Sequence, residues 1–254
     1  MNRIKTESRD AYRNSHSPEQ IAERLGDGPR SLYLKDVIYG AIDGAVTTFA
    51  VVAGVAGAGL SSGVVIVLGL ANLLADGFSM AVSNYLGTRA DNQYRRQAEK
   101  REWDEIKKWP EGEREEIRQI YAGKGFDGDL LEQVVSVITE DKERWVNTMM
   151  QEEHGLSKEA HDPWRAGWST FAAFFVVGAI PLFTYVWNWL VPESIQSPFL
   201  WSCLLTAVAF LLVGLAKGQY IGRRPFVSGL ETLAIGGTAA ALAYGVGVLL
   251  KGLV

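Results

Sequence analysis

Residues 68–87 read LGLANLLADGFSMAVSNYLG. The stretch is apolar enough to cross a bilayer, yet Asn72, Asp76 and Met80 recur inside it at four-residue spacing. Residues four apart on a helix lie on one face, one above the next. An amide, a carboxylate and a thioether therefore line one stripe of an intramembrane helix. A carboxylate at membrane depth costs several kcal/mol, roughly 2.5–3.5 even on lenient scales, so it marks a pathway or a site. The next twenty or so residues, 88–108, contain no Gly or Pro and are rich in charge. One continuous helix is predicted to tie the membrane stripe to an acidic region beyond it.

The rest of the chain fits that frame. Of 254 residues, 48% are hydrophobic and 21% charged, with a formal net charge of −4. The charge is segregated into residues 1–35 and 89–165, which is the pattern of a membrane protein carrying one inserted soluble domain. The first 35 residues are polar and carry no cleavable apolar core of the secretory type. The single cysteine, Cys203, excludes an internal disulfide and a Cys-based zinc motif. A mildly acidic balance without a basic stripe gives no reason to propose nucleic acid as a partner.

Residues 1–35 read as a tail in which Ser17-Pro18-Glu19-Gln20 caps a short helix ended by Gly26. Spans are expected at about 36–60, 62–86, 167–190, 199–221 and 227–250, each near the roughly 20 residues a helix needs to cross hydrocarbon. Only helices satisfy their own backbone there. The link GAGLSSG is short and uncharged, so the first two spans form an antiparallel hairpin. Lys and Arg fall in the tail, the central block and KGQYIGRRP, while GAGLSSG and VPESIQSP carry none. That asymmetry puts the tail and central block inside and the C-terminus outside, with Lys251 as the exception. Trp164 and Trp168 then belong to an inner aromatic belt, and Trp187, Trp189 and Trp201 to an outer one.

The central block, 89–165, reads as amphipathic helices. The first extends the second span through Lys108 and stops at Trp109-Pro110. Others are expected over about 111–121, 129–140 and 142–154, with Leu130, Leu131, Val134, Val135 and Ile138 as the apolar face of the third. The fold class is thus an all-α integral membrane protein of five transmembrane helices, with a helical domain inserted between helices 2 and 3. The divisions are 1–35, 36–88, 89–165 and 166–254.

Two constellations carry chemistry. In the membrane, Asp43 of AIDGAVTTF lies about two turns into the first span, with Asp36 seven residues earlier on nearly the same face. Asp43 and the Asp76/Met80 stripe lie at depths that meet across the hairpin. Carboxylates suit hard cations, and a thioether tilts the preference toward borderline transition metals. Asp36 also reads as an interfacial helix cap. Gly40 and Gly44 form a GxxxG that serves either packing within the chain or a dimer contact. In the central block, Glu102/Glu105 and Glu113/Glu116 are three apart, each pair facing one way. Met149, Met150 and Glu153 cluster on the last helix. Together they offer five carboxylates and thioether sulfur, a donor set for Fe(II); as ordinary alternatives, the acidic pairs are solvated surface and the methionines core. His154 and His161 read as a helix terminus and a loop. No Glu-x-x-His pair and no P-loop occur, so a di-iron oxidase and an ATPase lack their signatures.

DVIYGAIDGAVTTFAVVAGVAGA, GFSMAVSNYL, MMQEEHGL, GAIPLF and KGQYIGRRPFVSGLETLAIG resemble the vacuolar iron transporter family, from about Tyr33 onward. The resemblance implies a homodimer whose subunits carry a cytoplasmic metal-binding domain, exporting Fe(II), often Mn(II), from the cytoplasm in exchange for protons. It implies ligands at Glu102, Glu105, Glu113, Glu116, Met149, Met150 and Glu153, and pathway residues at Asp43 and Met80. Plant members carry Glu where this chain has Asn72 and a small residue where it has Asp76, which shifts the carboxylate one turn. No prosthetic group is implied. Metal ions, protons and the lipid bilayer are the expected partners, in a bacterial inner or a vacuolar membrane. The rival readings are a membrane-anchored metal buffer or sensor and a membrane iron oxidase.

Overall fold

The computed structural model describes residues 16–26, 33–157 and 160–253, and these are helices and links without a strand. The first helix, α1 (Pro18–Gly26), begins where expected, with the Ser17 hydroxyl accepting from the Gln20 N–H at 3.3 Å. Proline in the first turn costs nothing because its missing N–H would be unpaired there anyway.

Helix α2 (Leu34–Ala58) ends at Gly59, whose φ of 72° is the left-handed conformation that closes helices. The Leu60 N–H reaches back to the Val55 carbonyl at 3.2 Å, tying off the last turn. Helix α3 (Ser62–Lys108) is one element of 47 residues, about 70 Å at 1.5 Å per residue. It stops one residue before Pro110, since proline disfavours helical conformation in the residue preceding it, and Trp109 has left the helix with φ −146°.

Beyond it come α4 (Pro110–Gly123), α5 (Gly128–Glu140) and α6 (Lys142–Glu152). They pack on the far half of α3 around Ala98, Ile106, Ile117, Val135, Ile138, Trp145 and Val146. Asp141 caps α6 by accepting from the Arg144 N–H at 2.7 Å. Arg118 on α4 grips Glu132 on α5 through two nitrogens at 2.7 and 3.0 Å.

The chain returns through α7 (Pro163–Gly178), α8 (Ile180–Leu190), α9 (Pro198–Tyr220) and α10 (Pro225–Leu250). Helices α2, α3, α9 and α10 are each long and apolar enough to span a membrane, while α7 and α8 together make one broken element. This corrects the expectation of one continuous span over 167–190: the two pieces meet at 55°. Pro181 lies in the first turn of α8 and cannot donate to the preceding turn, which is a standard cause of a kink. Side chains around α9 stitch the break, with the Ser202 hydroxyl donating to the Pro181 carbonyl at 2.6 Å and Thr184 to that of Pro198 at 2.9 Å.

Residues Ala45, Phe49, Val52, Val65, Leu73, Phe174, Leu182 and Phe210 form the core of this half. The outward faces carry Val67, Leu74, Phe78, Leu212, Leu242 and Leu249, all exposed. A folded chain with its apolar side chains turned outward along long helices is built for a lipid solvent. The five tryptophans named above are exposed as well.

The Gly40/Gly44 face is occupied within the chain. A Cβ on Gly44 would lie 2.9 Å from the Phe174 Cα of α7, and one on Gly40 would meet the Thr170 carbonyl. The small residues let α2 and α7 touch backbone to backbone.

Candidate functional site

Asp43 sits part-buried on α2, and the charge of Asp76 on α3 acts on it directly. Asp43 and Asp76 thus stand on successive helices, within range of each other's charge. The Thr47 hydroxyl donates to the Asp43 carbonyl at 2.8 Å. Asn72 points back across the hairpin, its Nδ2 3.5 Å from the hydroxyls of both Thr47 and Thr48, at the outer limit of hydrogen bonding. Thr48 is fully buried. Met80, one turn past Asp76, packs against the core cluster, and Asp36 is part-buried near the start of α2. The threonine pair is visible in AIDGAVTTF, but hydroxyls inside a span usually bond their own helix, so the sequence alone does not point it across the hairpin.

Asn84 fixes the next turns of α3. Its amide donates to the Thr170 hydroxyl at 2.7 Å and to the Ala166 carbonyl at 3.2 Å, both on α7. Further along, Asn92 donates to the His161 carbonyl at 2.7 Å. Each bond ties the outgoing half of α3 to the chain that returns from the bundle.

In the bundle, the helix spacing brings the acidic pairs of α3 and α4 to one cleft. Glu105, Glu113, Glu116, Glu153 and His154 line it, beside Arg101, Lys108 and Trp109. Glu102 lies behind, only 1% exposed. Its Oε1 is 2.8 Å from His154 Nε2, while its Oε2 has no partner. Glu113 is 8% exposed and its Oε2 is likewise unpartnered. An ionised carboxylate held out of water without partners is costly unless a proton or a cation compensates it.

The acidities follow. Burial pushes the Glu113 carboxyl up to about 7 from the ordinary 4.5, and the charges of Glu116, Glu102, Glu105 and Glu153 push the same way. Glu116 is raised by burial and then by Glu153, Glu102 and Glu105. Glu102 is raised by burial, with the His154 hydrogen bond opposing. The charges of Glu105 and Glu153 thus bear on Glu102, Glu113 and Glu116 alike.

Two features add to the sequence reading. Met149 and Met150 are 0% and 5% exposed and belong to the apolar core of the bundle, the ordinary alternative for them. His154 does end a helix, as expected, but its ring also enters the acidic cluster. Glu102, Glu153 and His154 each offer a ligand atom, all within 4.8 Å of one another. The signal was the adjacency itself, because His154 directly follows Glu153 where α6 unwinds.

The sequence pattern of the VIT family matches residues 34–248, nearly all of the helical body. The chain belongs to the VIT family. It is 34% identical over 255 residues to the vacuolar iron transporter of Toxoplasma gondii, covering 95% of this chain and 84% of that one. It is 34% identical to vacuolar iron transporter 1 of Arabidopsis thaliana, over 83% of both chains. Against vacuolar iron transporter 1 of Oryza sativa the identity is 36%, over 84% of this chain and 83% of that one. The VIT match begins at α2 and takes in the bundle as well as the spans, so both constellations lie inside it.

Proposed function

We propose that this VIT-family protein transports divalent transition metal, Fe(II) foremost and Mn(II) with it, out of the cytoplasm in exchange for protons. The observation that carries the reading is the pairing of Asp43 with Asp76 between two apolar helices. The relatives named as vacuolar iron transporters support the cargo. Asp43, Asp76, Asn72 and Met80 line the pathway, and Asp36 stands at its inner mouth. The bundle of residues 89–165 is the cytoplasmic collecting domain, using Glu102, Glu105, Glu113, Glu116 and Glu153, with the Met149 and Met150 thioethers beside them. The N-terminal tail lies on the same side. A homodimer of this chain meets on a face other than Gly40 and Gly44, which α7 already covers.

Moving a doubly charged ion outward against an inside-negative potential costs about 4.6 kcal/mol per 100 mV, and two entering protons cancel that. Desolvation favours the protonated carboxyl and a cation favours the ionised one, so metal and protons compete for the same oxygens. That competition is the exchange. It needs no oxidation of the ion and no nucleotide, and the protein acts as a secondary transporter rather than an enzyme.

The test is Fe(II) and Mn(II) uptake into proteoliposomes with and without a pH gradient, reading internal pH. Uptake coupled to proton movement, lost in Asp43→Ala and in Asp76→Ala, supports the reading. Metal binding without flux would make the protein a buffer or sensor. Oxygen consumption on adding Fe(II) would make it an oxidase. Full exchange in the double variant ends the proposal for these two residues.

A further inference from the structure

Among the described residues, one group of metal-ligating side chains stands close enough to hold a single ion, and it contains an imidazole: Glu102, Glu153 and His154. Two ligand atoms bound at about 2.1 Å to one ion lie roughly 3.0 Å apart at a right angle and about 4.2 Å apart when opposite. His154 Nε2 and Glu102 Oε1 are 2.8 Å apart, close to the right-angle distance, and all three ligand atoms lie within 4.8 Å of one another. Glu102 adds the second, independent observation. It is 99% withdrawn from solvent, and the oxygen that does not face His154 has no partner. A buried carboxylate with an unpartnered oxygen beside a ring nitrogen offers donor atoms that a cation would satisfy.

We infer that His154 is a nitrogen ligand of the bundle's cation site and biases it toward imidazole-preferring transition metals over Mn(II), a deepening that rests on the collecting role proposed above. Oxygen-only sites take hard ions with modest discrimination among them. Affinity of nitrogen-containing sites rises from Mn(II) through Fe(II) and Co(II) to Ni(II), and imidazole suits Zn, Cu, Fe and Ni. An ion seated between Nε2 and Oε1 replaces the proton those atoms share. Glu153, exposed at the cleft, supplies the side open to incoming ions. The inference separates His154 from a purely structural partner that holds Glu102 in place.

The experiment uses the full chain in detergent, stripped of metal and titrated with Co(II) or Mn(II) near neutral pH. Wild type is compared with His154→Leu and His154→Gln, and Co(II)-loaded wild type is examined by X-ray absorption. The expected result is a loss of about ten-fold or more in Co(II) affinity in both variants, with Mn(II) changed by less than about three-fold. The wild-type spectrum carries imidazole scattering and the variants do not. Equal losses for the two metals, recovery of Co(II) affinity by glutamine, or a wild-type spectrum without imidazole overturns the inference and leaves the collecting role standing. Wild type binding neither metal removes the collecting role and this inference together.

Discussion

Glu113→Gln probes how strongly the acidic cluster strains the metal-free protein. Glu113 is 8% exposed, its Oε2 is unpartnered, and its carboxyl stands at about 7 against an ordinary 4.5. A group raised in the folded state binds more protons folded than unfolded between those two values. Stability therefore falls as pH rises through the window from about 4.5 to about 7, and the full penalty applies above it. Below the window both states are protonated and the penalty vanishes. At about 1.36 kcal/mol per pKa unit, reduced by the solvent that screens the cleft, the difference amounts to roughly 1–3 kcal/mol at pH 8. Glu102 and Glu116 are raised for the same leading reason, burial, so they steepen the same slope.

Glutamine removes the charge but adds a buried N–H, so the net gain at pH 8 is about 1–3 kcal/mol and close to zero at pH 5. The assay is thermal unfolding of chelator-treated protein in detergent at both pH values, wild type against variant. The variant-minus-wild-type difference cancels groups remote from the cluster and reads Glu113 together with its coupling to Glu116, Glu102, Glu105 and Glu153. Wild type should melt lower at pH 8 than at pH 5, and the variant should close much of that gap. A variant no more stable than wild type at pH 8, or a difference that grows toward pH 5, refutes the reasoning.

Gly44→Ala should destabilise the protein by about 1–3 kcal/mol, because its Cβ would meet the Phe174 backbone, which has no rotamer to yield. Gly87→Ala on the neighbouring helix meets nothing within 4 Å and should gain about 0.5–1 kcal/mol from helix propensity; melting curves of the two variants check both signs. Asn84→Leu removes both bonds to α7 and leaves the buried Thr170 hydroxyl with only its own-helix partner, the Ala166 carbonyl. A loss of about 1–3 kcal/mol is expected, read in the same melt together with faster hydrogen exchange at the start of α7.

Helix positions were legible because each is punctuated. Gly59, Pro110 and Asp141 stand at ends that follow from φ freedom, a proline ring or a side-chain cap. The break at Ala179 is not legible from hydropathy, because an apolar run of span length outweighs one proline, Pro181. The convergence of Glu102, Glu105, Glu113 and Glu116 was legible as helical spacing. Which of them is buried was not, since burial of Glu102 depends on how α6 lies against α3 and α4. The same ignorance of packing hid His154 and left Met149 and Met150 undecided between ligand and core.

The unbroken length of α3 constrains how the two constellations can cooperate. Asp76 and Glu102 are on one helix, 26 positions apart in the sequence, which at 1.5 Å per residue separates them by about 39 Å along its axis. That is several times the roughly 8 Å screening length at physiological salt, so the charge of the cluster is screened out before it reaches Asp76. It is also far beyond the reach of any side chain, so metal cannot pass from Glu102 to Asp76 by exchange between ligands. The collecting domain proposed above must then act by holding ions near the inner mouth, where each released ion crosses water before meeting Asp36 and Asp43. Such a role scales with external metal. Loss of Glu102 and Glu105 should slow uptake at low Fe(II) and be overcome at high Fe(II), whereas loss of Asp43 should not be rescued at any concentration. Equal impairment across the whole range in the glutamate variant would mean that α3 transmits the state of the cluster mechanically, and that the separation along its axis does not insulate the pathway.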